Sequence, residues 1–321
     1  AYEISLGLVG SEMCIRDRDV VAVYCAPDVV RGRPDPLKQF AVEAGITVRQ
    51  PVSYKDSAVQ KEMAELSADL CVMAYVTLMI PEEVLNTPSV GSIQYHPSLL
   101  PMHKGPSSIN WPIIFGEPKT GLSIFWPDKG LDTGPILLQK ECPIGPDDTL
   151  GSLYFDQLFP MGVSAMLEAV DLVRDGKAPK VPQQPGDGTY EGWCRREEAK
   201  IDWSRPCQDV HNLIRGCDPQ PGAWTVIDGA EVQLFGCSAV SDVSAAPGTV
   251  VSSEEGILIA AGGGGILVRK VRPHGESKMD AREFLSGANA KDGTQLGGFI
   301  FLSHDHINSV SYTHLTLPTK A

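Results

Sequence analysis

Nowhere in the 321 residues do two cysteines form a C-x-x-C pair, although the chain carries eight, at positions 14, 25, 71, 142, 194, 207, 217 and 237. That absence excludes a zinc ribbon and a compact disulfide framework, and thiols scattered this way predict a reduced, cytoplasmic protein. No run of eighteen apolar residues occurs, which excludes a membrane-spanning helix and a membrane partner of that kind. Basic residues are also scarce: 27 Lys and Arg stand against 40 Asp and Glu, for a net charge of −13. A surface with that balance lacks the basic stripe that phosphate backbones need, so nucleic acid is not the default partner. No internal repeat is present, so a solenoid is excluded too. What remains is an ordinary globular composition, 42% hydrophobic and 21% charged, in a chain long enough for two domains.

The ends read differently from the rest. LVGSEMCIRDR (8–18) stands near the start and VSYTHLTLPTK (310–320) near the finish. Met13 to Arg18 can be encoded by ATG TGT ATA AGA GAC AG, and Val310 to His314 by GTC TCT TAT ACA CAT, the reverse complement of most of that string. Nothing physical makes two unrelated protein ends reverse complements. Both ends resemble translated adapters of a transposase-based sequencing library. Residues 1–18 and 309–321 are therefore set aside as artefact, and the natural gene is expected to extend further at both ends.

Between them, apolar runs alternate with helical patterns. DVVAVYCAP (19–27) reads as a buried strand, DPLKQFAVEAG (35–45) as a helix ended by Gly45, and ITVRQP as the next strand. SYKDSAVQKEMAELSA and DLCVMAYVTLMI continue as helix and strand; PEEVLNTP is a short helix and VGSIQYH (90–96) a strand. This alternation predicts an α/β domain with a mainly parallel sheet covered on both faces. HKGPSSINWPIIFG reads as a helix, GLSIFWP and PILLQKECPI as strands, and residues 150–177 as a long helix closing a domain at 19–177. The Pro- and Gly-rich stretch 178–192 reads as a linker. PCQDVHNLIRGC is a helix, and short strands with frequent turns up to residue 297 predict a small antiparallel β-barrel over 193–297. Glycines 262–265 join two strands with no helix after them, so they read as a hairpin and not a phosphate loop. Residues 298–308 fit no element, and the His304 and His306 pair there is read as terminal noise and not a metal site.

The chemistry concentrates in residues 91–140. Side chains alternate along a strand, so Gln94 and His96 share one face and Tyr95 the other, at the C-terminal end where open parallel sheets place their ligand crevice. The PSLLP turn follows, able to present backbone groups to a flat polar ligand. Asp132 lies between Gly130 and Gly134, in a loop free to approach closely. An amide, an imidazole and a carboxylate on one crevice suit attack on an activated carbonyl. The imidazole moves the proton, the carboxylate steadies the resulting cation, and the amide donates to the oxyanion. Spacing alone thus indicates an α/β enzyme of acyl-transfer or hydrolytic type.

The run HPSLLP…KG…INW…GLDTGPILLQ closely resembles the folate-dependent formyltransferase family, over about residues 19–297. That resemblance implies a Rossmann-like catalytic domain followed by a smaller barrel, no metal, and 10-formyltetrahydrofolate as formyl donor. It also implies His96 as catalytic proton carrier and Asp132 as its acidic partner. Leu78, Met79 and Ile80 would lie near the pteridine, with Ser98, Leu99, Leu100 and Pro101 lining the folate site. Within the family, the DPL loop at 35–37 and TYEG…AKIDW…VHNLIRG…PGAW (189–224) look most like the hydrolase domain that opens the 10-formyltetrahydrofolate dehydrogenases. That branch implies a fused carrier and aldehyde dehydrogenase domain beyond this chain. The short RGRPDPL segment and acidic charge speak against initiator tRNA as partner, leaving a methionyl-tRNA formyltransferase as the second reading. A non-catalytic folate-binding module is the third.

Three departures from the family pattern stand out. Gln94 replaces the usual Asn of the transferases and the apolar residue of the dehydrogenase branch, keeping an amide on one more methylene. Met102 and Lys104 replace arginines in a stretch usually reading LLPRHRG or LLPRYRG, so the charge of Lys104 lacks a bidentate fork. Finally, the resemblance places a first central strand and helix before DVVAVY, where the terminal segment stands. A sheet missing a central strand leaves ladder groups unpaired, at about 1–3 kcal/mol for each one buried. A protein of this sequence is therefore expected to be less soluble and to melt lower than one with that strand restored. Solubility and Tm measured side by side check this, and equal values would refute it.

Overall fold

The computed structural model describes residues 18–28, 35–76, 78–184, 186–251, 254–287 and 292–296. The segments read as adapters therefore lie outside the described residues, apart from Arg18, as does His304–His306. The chain forms two compact units: residues 1–199 with 212–222, and residues 200–211 with 223–321.

In the first unit, β1 (Val23–Tyr24) pairs in parallel with β2 (Val48–Arg49). Between them lies α1 (Pro36–Glu43), whose first turn is capped by the Asp35 carboxylate accepting from Leu37 N and Lys38 N. Gly45, at φ +71° just past the helix, supplies the left-handed turn expected there. Helix α2 (Ser57–Glu65) begins the same way on Asp56. A four-stranded sheet follows, β3 (Leu70–Met73), β4 (Gly91–His96), β5 (Lys119–Phe125) and β6 (Ile136–Pro143), in that spatial order. Strand β4 lies parallel to β3, which the short helix α3 (Glu82–Leu85) makes possible by carrying the chain back. Strand β5 runs antiparallel to β4, and β6 antiparallel to β5. The expected parallel pattern thus belongs to the first four strands. Among the described residues, β1–β2 and β3–β6 are two separate sheets.

Two helices differ from the periodicity reading. Of HKGPSSINWPIIFG, only α4 (Asn110–Ile114) is helical. His103 at φ +53° and Gly105 at φ +104° leave the right-handed region, and Pro106 removes a donor, so the earlier half is a turn. The long run from Leu150 contains a π-helical stretch, Leu153–Leu158, before the α-helix α5 (Phe159–Arg174). Pro160 lacks the N–H that would continue regular bonding into that stretch. Helix α5 packs Ala165, Met166 and Ala169 into a core with Ile93, Tyr95, Leu122, Ile124 and Leu153.

The stretch 178–192, read as a linker, is bound into the first unit. Val181 exchanges both main-chain bonds with Ile136, and Lys104 does so with Thr189 and Glu191. The chain returns at 212–222: Asn110 Nδ2 donates to Gly216 O at 2.8 Å, and buried Arg215 donates to Gly145 O and Asp148 O at 3.1 and 3.0 Å. By these contacts the first unit extends to Ala199. The Cys194 and Cys217 sulfurs lie 3.8 Å apart, and the described cysteines are all free thiols.

The second unit holds an antiparallel sheet ordered β7 (Trp224–Ile227), β8 (Ala230–Val240), β11 (Gly264–Pro273), β10 (Ile257–Ala261) and β9 (Val250–Val251), with β12 (Met279–Asp280) on β11. It is a half-barrel around Val232, Leu234, Ile257, Ile259, Ile266 and Val268. Gly262 and Gly263 form the β10–β11 hairpin turn, as read from the sequence.

Leu122, fully buried at the centre of the β5 ladder, is the position where truncation should be most costly. Leu122→Ala is expected to lower unfolding free energy by about 2–5 kcal/mol in urea titration.

Candidate active site

The parallel register aligns Met73 with Gln94, so β3 and β4 end at the same edge. Tyr95 turns into the core, as alternation requires, and its ring lies so close to Gly162 that a Cβ there would be 2.9 Å away. His96 is the last residue of β4 and is 6% exposed. Its Nε2 lies 2.9 Å from the carbonyl oxygen of His103. A carbonyl only accepts, so Nε2 carries the hydrogen, and the neutral ring has its lone pair on Nδ1. Nδ1 lies 3.7 Å from Asp132 Oδ1.

Asp132 is also 6% exposed and has φ +55°, a conformation that Asp tolerates better than most residues. Its other oxygen, Oδ2, accepts from Gly105 N at 2.9 Å, and its carbonyl accepts from Gln183 Nε2 at 2.9 Å. The carboxylate is thereby aimed at the imidazole from a loop. Burial, which disfavours the charged ring, is the strongest influence on His96 and holds its pKa below the ordinary 6.5. The Asp132 carboxylate and the His103 carbonyl push the other way without overcoming it. His96 is thus neutral at pH 7, with a basic nitrogen beside a carboxylate that would stabilise the imidazolium. Gln94 points to the same face, half-buried, and its amide makes no hydrogen bond within the described residues.

The loop after β4 is fastened from below. Ser123 Oγ accepts from Leu100 N at 3.0 Å and donates to Ser98 O at 2.7 Å. Gln139 Nε2 donates to Leu100 O at 2.8 Å and to Ser123 Oγ at 2.9 Å. Ser98 Oγ donates to Met102 O at 2.6 Å. Ser98 and Leu100 are therefore buried and their polar groups are used inside the loop, so they support the site's floor. Leu99 and Pro101 are half-buried and Met102 is exposed. Leu78 and Met79 are exposed and Ile80 half-buried, in the loop leaving β3 at the same sheet edge as Gln94. The side chains of Tyr75 and Val76 add to this exposed apolar loop. No group of three or more metal-ligating residues occurs among the described residues.

Sequence reasoning singled out His96, Asp132 and Gln94 and missed the residues that hold them. His103, Gly105, Ser123, Gln139 and Gln183 all bond to the site or its loop. Ser123 was visible only as a polar residue at an inward position of an apolar strand, and Gln183 and the His103 bonds left no local signal.

An imidazole with a free lone pair, a carboxylate beside it and an amide on the same strand face are groups that could serve attack on a carbonyl. They stand in an α/β unit followed by an antiparallel half-barrel. The description Formyl transferase matches residues 14–170, and Formyl transferase, C-terminal domain, matches 194–289. The methionyl-tRNA formyltransferase of Desulforamulus reducens is 36% identical over 288 residues, covering 87% of this chain and 90% of that protein. The chain belongs to the formyltransferase family. The mitochondrial 10-formyltetrahydrofolate dehydrogenase of Mus musculus is 45% identical over 238 residues, covering 73% of this chain and 26% of that protein. The chain thus spans about a quarter of the curated dehydrogenases it matches. HypX from Aquifex aeolicus, solved in complex with tetrahydrofolic acid, shares the fold with a TM-score of 0.61 at 22% identity, covering 80% of this chain and 47% of that one.

Ser123→Ala would orphan buried Leu100 N and Ser98 O, each worth about 1–3 kcal/mol. A fall in Tm together with faster amide exchange at Leu100 is the expected outcome, read by calorimetry and hydrogen-exchange mass spectrometry.

Proposed function

We propose that this chain removes the formyl group of 10-formyltetrahydrofolate, with water as acceptor, as the hydrolase module of a 10-formyltetrahydrofolate dehydrogenase-type enzyme. The observation that carries this reading is His96, whose Nε2 hydrogen is committed to a carbonyl and whose Nδ1 lone pair faces Asp132. Nδ1 takes the proton of a water as its oxygen bonds to the formyl carbon. Asp132 stabilises the imidazolium that results, and the Gln94 amide donates to the oxyanion. Collapse breaks the bond from the formyl carbon to N10, and His96 returns the proton to that nitrogen. Formate and tetrahydrofolate leave. The exposed Leu78 and Met79 with Ile80 fit the apolar face of a pteridine, while Leu99 and Pro101 line the folate on a floor held by Ser98 and Leu100. The identity to the dehydrogenases supports that branch, and their greater length supports a fused carrier and aldehyde dehydrogenase domain as partners in the cell.

The second reading, transfer to initiator methionyl-tRNA, is favoured by one observation: the match spans 90% of the bacterial tRNA enzyme. Incubating the chain with 10-formyltetrahydrofolate, alone and with methionyl-tRNA, separates the two. Formate released without tRNA supports hydrolysis, and formylmethionyl-tRNA formed without free formate supports transfer.

His96→Ala is expected to lower kcat by about 10²–10⁴-fold. Asp132→Asn keeps an acceptor for Gly105 N but removes the charge, and should cost about 10²-fold or more. Gln94→Leu should lower kcat with little change in KM; an unchanged kcat would remove Gln94 from the mechanism. Because the neutral form of His96 is the active one and its pKa is held below 6.5, activity should be level at neutral pH. It should fall only as acid titrates His96, with a midpoint below 6.5 in the profile of kcat/KM.

A further inference from the structure

Directly behind the proposed proton carrier lies a second histidine whose every polar group is engaged. His103 is 3% exposed. Its Nε2 lies 2.9 Å from Glu117 Oε1, and its Nδ1 lies 3.2 Å from Glu191 Oε2. Each ring nitrogen thus faces a carboxylate oxygen, so the ring is clamped between two acidic side chains. Its main-chain N–H donates to Thr189 Oγ1 at 2.9 Å, and its carbonyl accepts from His96 Nε2 at 2.9 Å.

The two carboxylates come from separate parts of the chain. Glu117 follows α4 and precedes β5, whereas Glu191 lies in the stretch read as a linker. That stretch is strapped onto the turn at 101–107. Lys104 N donates to Thr189 O, Glu191 N to Lys104 O, Trp111 Nε1 to Gly192 O and Cys194 N to Ser107 Oγ. Gly188, at φ +84°, passes so near that a Cβ would lie 2.0 Å from Pro101 O. One position along, Gly105 N holds Asp132. The groups facing the His103 ring or its carbonyl are thus Glu117, Glu191 and His96, with Asp132 held two residues further along at Gly105 N.

We propose that His103 is a positioning residue for the reaction at His96: the Glu117 and Glu191 clamp holds its ring, and so fixes its main-chain carbonyl on His96 Nε2. The carbonyl selects the tautomer with the lone pair on Nδ1, the nitrogen beside Asp132. At φ +53° the His103 backbone does not settle into this orientation by local preference, so the ring contacts and the strap hold it there. The His103 ring also adds to the lowering of the His96 pKa, of which burial is the main cause. The inference rests on the reading of His96 as proton carrier.

The test uses the whole chain with 10-formyltetrahydrofolate and reads formate release across pH for the wild type, His96→Ala, His103→Asn and Glu191→Gln. Asn tolerates positive φ, so His103→Asn removes the ring with least backbone strain. Both His103→Asn and Glu191→Gln are expected to lower kcat by about 10- to 100-fold, the range for a misplaced catalytic group, with KM within about twofold. In His103→Asn the acid limb of kcat/KM should also move to higher pH, because the lowering influence of that ring on His96 is gone. Nitrogen-15 NMR of the histidine rings should show His96 with its hydrogen on Nε2 in the wild type and a tautomer mixture in His103→Asn. Unchanged kcat, acid limb and tautomer in both variants, with His96→Ala inactive, would overturn the positioning role. An active His96→Ala would instead overturn the reading of the site itself. Should His103→Asn fail to fold, Glu191→Gln, which keeps the side-chain shape, decides the question by kcat and NMR.

Discussion

The hydrogen bond from His96 Nε2 to the His103 carbonyl decides which nitrogen of a buried imidazole is free, and much of the surrounding structure is built on it. An imidazole at the end of a strand, open to water, would exchange tautomers and rotate. Here one nitrogen is committed to an acceptor and the other is left beside a carboxylate. Burial disfavours the charged ring, and the Asp132 carboxylate lies 3.7 Å away, where it favours the charged form. Each neighbouring contact serves that arrangement: Gly105 N on Asp132, Ser123 and Gln139 under the loop, and the 187–194 strap over His103.

The sheet supplies the rigid part. Parallel pairing brings the ends of β3 and β4 level, so an exposed apolar loop and the Gln94–His96 face leave the sheet at one edge. Antiparallel β5 and β6 then brace β4 from the other side and carry Ser123 and Gln139, the residues that bind the loop between Ser98 and Leu100. Asp132 comes from the β5–β6 connection and reaches the imidazole through a left-handed backbone turn. Strands therefore place the imidazole and the amide, while loops place the carboxylate and the clamp.

Much of this was legible from residues alone. The alternation of apolar runs marked every strand of the first unit, and Tyr95 against His96 was readable from period two. The approach of Asp132 to His96 was readable in outline, because one stood at a strand end and the other in a glycine-flanked loop. The early half of HKGPSSINWPIIFG was not legible as a turn, since its helical spacing of apolar residues outvotes a positive φ that only packing imposes on His103. The linker reading of 178–192 failed to foresee its binding because Pro and Gly content reports what a segment cannot form and is silent on what it can bond to. Ser98 and Leu100 were expected to face a ligand, and their burial depended on Ser123 and Gln139, which stand 25 and 39 residues further along.

By itself the sequence determined the order of the elements, the two-unit organisation and the residue types able to move a proton, because these depend on local periodicity and on side-chain chemistry. Only the tertiary structure decided the tautomer of His96, its depressed pKa and the two-carboxylate clamp around His103. Those depend on burial and on hydrogen bonds between residues as far apart as His103 and Glu191, distances at which a pattern in sequence carries no information.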